Sequence, residues 1–344
     1  MSGYGQSSDE SVAVAHVIAA APLPRLRRAA VRATLAPSVH NTQPWRFVIG
    51  NGRLEIHADY NRQLQVLDPE ARQLIISCGC ALLNVRVSLA ADGYTSDVTR
   101  LPRSPQRDLL AQVQAETGAD LDLAMLDPVI PLRRTNRRPF APEPVPDDVV
   151  ARLIVAAEQE QVEAIRVRDP DLRRTLARLA YHAEDIESWN VAYRTELRAW
   201  IADDPRRDDG VPLTAIPPSE RRTDEHLPIR DFDMLGRGSL SGSQWAESDG
   251  DECVLALGTL RDDPVGWLQV GEGLERLWLE ATRLGYALTP FTQPLELLGT
   301  GKTVKAELGV GWSPQILARV GRAEPTPATR RRRLVDVLRE VGNA

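Results

Sequence analysis

The chain has almost no lysine: of its 42 basic residues, all but Lys302 and Lys305 are arginine. That skew takes weight away from any isolated arginine pair as a sign of anion binding, and only arginines in a structured context carry information. Cysteine is scarce. Cys78, Cys80 and Cys253 are too few for a disulfide framework, and Cys78-Gly79-Cys80 has no second pair to complete a metal site, so they read as helix-packing residues. The five histidines (His16, His40, His57, His182, His226) lack the close helical spacing of a metal motif, and no metal is expected. No apolar run approaches the roughly 20 residues that span a bilayer, and Met1–Glu10 lacks the basic start and apolar centre of a secretion signal. The expectation is a soluble cytoplasmic protein without a membrane partner. A formal net charge of -6 runs against nucleic-acid binding, which needs an electropositive face.

What is present is an ordinary globular composition, 42% hydrophobic and 26% charged over 344 residues, enough for two domains or one intimately duplicated one. Helical periodicity covers about 11–35, then strands are expected at 46–49 and 54–58 around the hairpin signal Asn51-Gly52, and a helix at 69–91. Pro128 to Pro146 is a proline-punctuated connector, after which Asp147 caps a helix running to about Glu160. Another helix is expected over 170–202. Residues 203–251 are rich in Pro, Gly, Ser and Asp without periodicity, which suits a surface excursion or a lid. A helix at 266–283, extended chain at 286–289, a strand at 316–320 and a last helix at 331–341 complete the reading. Gly79 to Gly93-Tyr94 and Gly271 to Gly285-Tyr286 repeat the same 14-residue interval, an internal echo that points to duplication.

The densest chemistry lies in Pro37-Ser38-Val39-His40-Asn41-Thr42-Gln43-Pro44-Trp45, where hydroxyl, amide and imidazole groups crowd between a helix and a strand and must find hydrogen-bond partners if buried. A bound planar heterocycle would supply them. Taken alone, Ser38, His40 and Asn41 are also ordinary turn residues, Trp45 a core residue, Arg133 to Arg138 a solvated basic loop, and Arg330 to Arg333 the start of a helix.

Joined in order, these segments resemble the nitroreductase family of FMN-dependent flavoproteins, whose Pro-Ser-x-x-Asn-x-Gln-Pro-Trp loop is matched at every named position. Arg133-Arg134-Thr135-Asn136-Arg137, followed by Phe140, is similar to the family's arginine motif, but it stands about 95 residues after the loop, not before it. In the family the two motifs meet across a homodimer interface, so the inversion implies a single-chain pseudo-dimer. The resemblance implies an α+β nitroreductase-like fold with helices around antiparallel-containing sheets, one half at 1–127 carrying the loop and the other at 128–344 carrying the arginine motif and C-terminal arm. Where the second half should repeat the loop it reads Glu158-Gln159-Glu160-Gln161-Val162. One FMN site per chain and one degenerate pseudo-site are therefore expected. The expected cofactor-binding residues are Ser38, His40, Asn41, Thr42, Gln43, Arg133, Arg134, Thr135, Arg137, Thr292, Gln293, Arg330 and Arg331. Among them Arg330, with Arg331 as neighbour, is the expected phosphate ligand of the terminal signature, and Tyr286 to Gln293 the strand and turn beside the flavin N5. Arginine suits a phosphate, and amides and hydroxyls suit a pyrimidine edge that alternates acceptors with a donor. The resemblance also implies hydride transfer from NAD(P)H through FMN to a small nitroaromatic or quinone-like acceptor, with no catalytic acid or base in the protein. The rival expectation is a flavin-sequestering protein whose 203–251 segment covers the cofactor. Either a monomeric pseudo-dimer or a homodimer fits.

Overall fold

The computed structural model describes residues 21–342 except 203, 205 and 217–252; most of the expected lid thus lies outside the described residues. The described residues open with α1 (Leu23–Ala33), the part of the helix expected over 11–35 before residue 21 lying outside them, and then β1 (Trp45–Gly50) and β2 (Arg53–Ala58) form a hairpin. Asn51 and Gly52 both take positive φ, 51° and 74°, as the tight two-residue turn requires. The 20-residue α2 (Arg72–Ala91) leads to β3 (Tyr94–Arg100) and β4 (Leu109–Thr117). A connector containing the short α3 (Leu121–Ala124) crosses to α4 (Asp147–Glu158) and β5 (Glu163–Arg166).

The helix expected over 170–202 is two, α5 (Pro170–Trp189) and α6 (Val191–Ala199), because Asn190 leaves the helical region and caps α6 with its side chain. Two-residue strands β6 (Ile201–Ala202) and β7 (Val211–Pro212) pair in parallel. There follow β8 (Cys253–Thr259), buried at every residue, then α7 (Pro264–Arg283) and β9 (Ala287–Phe291). The short α8 (Gln293–Glu296), α9 (Leu298–Leu308) and β10 (Ser313–Gly321) come next. The last expected helix is instead a single turn, α10 (Leu334–Val337), and a strand, β11 (Leu338–Glu340). Strand wins there because β11 pairs in parallel with the open edge of β1, Phe47 opposite Leu338, which satisfies backbone groups that an isolated C-terminal helix would leave to water.

Beside the small β6–β7 pair, the described residues form two larger sheets, with strand orders β11-β1-β2-β4-β3 and β5-β8-β10-β9. Leaving β11 aside, each is an antiparallel sheet made by the same succession: helix, strand, strand, helix, strand, strand. The second succession carries insertions, α5 to β7 between β5 and β8, and α8 to α9 between β9 and β10. The two long helices α2 and α7 cross at the centre. Gly79 and Gly271 face each other there: a Cβ on Gly79 would meet the Leu268 carbonyl oxygen at 2.1 Å, and one on Gly271 the Ile76 carbonyl oxygen at 2.1 Å. One apolar core runs through both parts, joining Trp45, Phe47 and Ile76 to Leu268, Leu277 and Trp278. α2 is the exception to the sequence expectation about apolar runs. It is long and apolar enough to cross a membrane, yet 89% of its most apolar stretch is buried inside the protein, as for a core helix.

Candidate functional site

Two adjoining lobes of one cleft are lined by the loop after α1, the connector before α4, α2, α7 and the C-terminal arm. The first is cationic, lined by Arg133, Arg134, Arg137 and Arg331 with the hydroxyl-bearing Ser38, Thr135, Thr326 and Thr329. The second is largely apolar, with Leu274, Trp278, Phe291 and Ile316 beside Gln73, Ser77, Cys80 and Gln293. Pro37, Ser38, Thr135 and Arg137 line both and mark the join.

The loop after α1 has an uncommon backbone. His40, Asn41 and Gln43 take φ of 47°, 55° and 50°, a region non-glycine residues avoid at a cost of about 1–3 kcal/mol each, so tertiary contacts must hold them. Ser38 Oγ accepts from the Gln43 N–H at 2.9 Å, and Ser77 Oγ on α2 accepts from the Val39 N–H at 3.3 Å. The connector is pinned as firmly. Thr135 bridges Leu288 of β9, the Asn136 N–H donates to the Leu288 carbonyl at 3.0 Å, and Thr289 Oγ1 donates to the Asn136 carbonyl at 2.8 Å.

Like charges gather in the cationic lobe because the carbonyl end of α1 holds them. Arg133 Nη2 donates to the Leu35 carbonyl at 3.0 Å, and Arg331 Nη2 reaches the Leu35 and Ala36 carbonyls at 3.4 and 3.3 Å. Arg133 also stacks on the Trp278 ring at 4.6 Å and stands 3.3 Å from Glu275 Oε1, without the alignment of a hydrogen bond. Glu275 is fully buried, and that burial lifts its carboxyl to about 7. Burial, reinforced by Arg133 and Arg134, pulls the Arg331 guanidinium down to about 9, and burial takes Arg137 to about 10. Both guanidinium groups remain protonated at neutral pH, so the depressions register burial, to which neighbouring like charge adds at Arg331, and a bound anion would relieve it. Arg133 Nη1 and Arg331 Nε are buried without a hydrogen-bond partner among the described residues. In the apolar lobe three more buried donors are in the same state, Gln73 Nε2, Gln293 Nε2 and Trp278 Nε1. Such donors are costly unless a ligand or solvent meets them. A group with a phosphate at one end and a flat heteroaromatic bearing acceptors at the other fits this set.

Of the residues expected from the sequence, Ser38, His40, Asn41, Arg133, Arg134, Thr135, Arg137, Thr292, Gln293 and Arg331 line the cleft. Three do not. Thr42 and Gln43 are fully buried behind the loop, with both ends of the Gln43 amide engaged by the chain itself. Arg330 points outward, 61% exposed and 3.7 Å from Asp208, while its neighbour Arg331 points in; the arm is extended here and alternates sides. The sequence reading missed Gln73, Ser77, Cys80, Leu274 and Trp278. A signal existed for some of them: Gln73, Ser77, Asn84 and Ser88 recur at helical spacing along otherwise apolar α2.

No family model matches the chain. It is 36% identical over 319 residues to "Putative NAD(P)H nitroreductase Rv3131" of Mycobacterium tuberculosis (strain ATCC 25618 / H37Rv), covering 89% of this chain and 88% of the relative. It is 31% identical over 321 residues to "Putative NAD(P)H nitroreductase acg" of the same strain, covering 91% and 95%. A solved structure described as a "putative nitroreductase" from Anabaena variabilis shares the fold, with a TM-score of 0.50 over 88% of each chain at 12% identity. With relatives of that identity matched along nearly their whole length, the chain belongs to the nitroreductase family.

Proposed function

We propose that this chain is an FMN-dependent oxidoreductase that takes hydride from NAD(P)H and reduces a small nitroaromatic or quinone-like acceptor. The observation that carries the reading is the convergence of four guanidinium groups, one of them 3.3 Å from the buried Glu275, on a lobe that opens into an apolar slot. Arg133, Arg134, Arg137 and Arg331 would hold the phosphate, assisted by the Ser38 and Thr135 hydroxyls. Trp278, Leu274, Phe291 and Ile316 would pack the ring, and the Gln73 and Gln293 amides would donate to its polar edge. When bound, FMN supplies the hydride and electron chemistry itself. The protein's part is to bind, orient and keep the slot dry, and no acid or base is assigned. The names of the mycobacterial relatives support NAD(P)H as reductant.

We also infer that the chain is an internal duplication with halves at 1–127 and 128–344. The matching strand orders support it, and so does the meeting of Gly79 with Gly271, since equivalent residues touch each other on a two-fold axis. The test of function is an absorbance spectrum before and after NAD(P)H, then with an acceptor added. Flavin bleaching followed by reoxidation is expected, at one FMN per chain; flavin that stays oxidised in excess NAD(P)H overturns the catalytic reading. A sequestering protein is the second reading, favoured by Val211 on the cationic lobe and by the Gly210 N–H donating to the Asn41 carbonyl at 3.3 Å. It requires that deleting residues 203–251 raise turnover.

A further inference from the structure

The arm that brings Arg331 to the cleft has a problem of register. Arg330, Arg331, Arg332 and Arg333 are four identical side chains in a row, so side-chain chemistry cannot decide which of them enters the cationic lobe. Residues 322–333 have no regular secondary structure to fix them either. Sliding an extended chain by one residue would turn Arg331 out and a neighbour in.

The loop after α1 grips the arm on both sides of that residue. Gln43 Oε1 accepts from the Arg332 backbone N–H at 2.7 Å, and the Gln43 carbonyl accepts from Arg332 Nη1 at 3.1 Å. Asn41 Nδ2 donates to the Arg330 carbonyl at 3.2 Å and to the Gly210 carbonyl at 2.9 Å. Gln43 Nε2 turns the other way, to the Asp208 carbonyl at 2.8 Å and the Asn41 carbonyl at 3.3 Å. The strained φ values at Asn41 and Gln43 are what aim both amides at the arm.

We propose that Gln43, with Asn41, is a positioning residue that clasps the backbone flanking Arg331, sets the register of the arginine run and so delivers that one guanidinium to the phosphate. The proposal rests on the flavin reading above for its ligand, but the clasp is testable without it. Gln43→Met keeps the buried volume and removes all three hydrogen bonds of the side-chain amide, leaving the backbone carbonyl that accepts from Arg332 Nη1. With the full-length protein, FMN and riboflavin affinities are measured by fluorescence titration for wild type, Q43M, R331A and the double variant.

Q43M is expected to weaken FMN about tenfold or more, the size of a lost charged hydrogen bond, while riboflavin, which has no phosphate, stays within about twofold. R331A in the Q43M background is expected to cost much less than in wild type, since the two changes break one arrangement. Equal losses for FMN and riboflavin, additive losses, or an unchanged FMN affinity each overturn the proposal. In the flavin-free protein, Q43M is expected to speed hydrogen exchange at the Arg332 amide, and unchanged exchange overturns the clasp. Should Q43M fail to fold, Gln43→Glu retains the acceptor and is expected to retain that protection; fast exchange in Q43E counts against it. Wild type that binds neither flavin overturns the flavin reading, and exchange in the flavin-free protein then decides the clasp alone.

Discussion

At the scale of single residues, the cleft shows how a position in a run of identical side chains acquires a role. Arg331 is enclosed beside Arg133, whereas Arg330 stands in solvent near Asp208. A charge-assisted bond in the enclosed position contributes about 1.5–3 kcal/mol, so Arg331→Ala should weaken FMN binding roughly tenfold to a hundredfold. Arg330→Ala should leave it within about twofold, since exposed charges are screened. Equal effects in fluorescence titrations would show that the arm adopts another register. Glu275 gives a pH signature. Its carboxyl is raised by burial to about 7 from 4.5, with Arg133 pulling the other way. Between those values the folded chain holds a proton that the unfolded chain has released, so this contribution to stability is present at low pH and is lost as pH rises through 7. The flavin-free protein should therefore lose thermal stability between pH 5 and pH 8 more steeply than Glu275→Gln, by at most about 3 kcal/mol. Parallel curves for the two proteins would remove Glu275 as the titrating group.

At the scale of elements, the crossing of α2 and α7 sets the width of the cleft, because Ile76, Ser77 and Cys80 on one helix and Leu274 and Trp278 on the other line the same lobe. The helices approach so closely only because Gly79 and Gly271 lack side chains. Gly79→Ala would drive a methyl into the Leu268 carbonyl oxygen, and backbone cannot step aside as a flexible side chain can. A loss of about 1–3 kcal/mol or more is expected in urea denaturation, together with weaker flavin binding. Gly299→Ala is the control. It sits in α9 with nothing within 4 Å of the added Cβ and should stabilise by about 0.5–1 kcal/mol. If both substitutions behave alike, close helix approach is not what Gly79 provides.

At the scale of the whole molecule, the proposed duplication would make its two halves use equivalent regions differently. Where a second loop would follow α4, Glu160 is buried and bound by Arg86 and Arg276, the latter at 2.6 Å. Glu272 on α7 is likewise buried, accepting from Arg86 at 2.7 Å and from Arg100 Nε at 2.6 Å. On the duplication proposed above, this ionic network would close the region that a second cofactor would need. Glu272→Ala takes from Arg100 its carboxylate partner and from Arg86 one of its two, and should cost about 3 kcal/mol in denaturant unfolding, with the flavin stoichiometry expected to be one per chain. Two FMN per wild-type chain would show that the network closes nothing.

The sequence by itself determined the motifs and the local devices: the Asn51-Gly52 turn, the Pro-Ser loop, the arginine motif, the echoed glycines, and through them the family. Such features are set by φ preferences and side-chain chemistry within a few residues, which one chain displays directly. The antiparallel β3 and β4, the fully buried β8 and the terminal β11 were not legible, because a strand's state depends on the partner edge that covers it. Only the tertiary structure decided that Gln43 looks away from the cleft, that Arg331 enters it while Arg330 does not, and that Gln73 and Trp278 belong to it. Those choices depend on which backbone carbonyls and N–H groups from distant segments meet the loop, and contacts across nearly 300 residues of chain leave no local trace in its sequence.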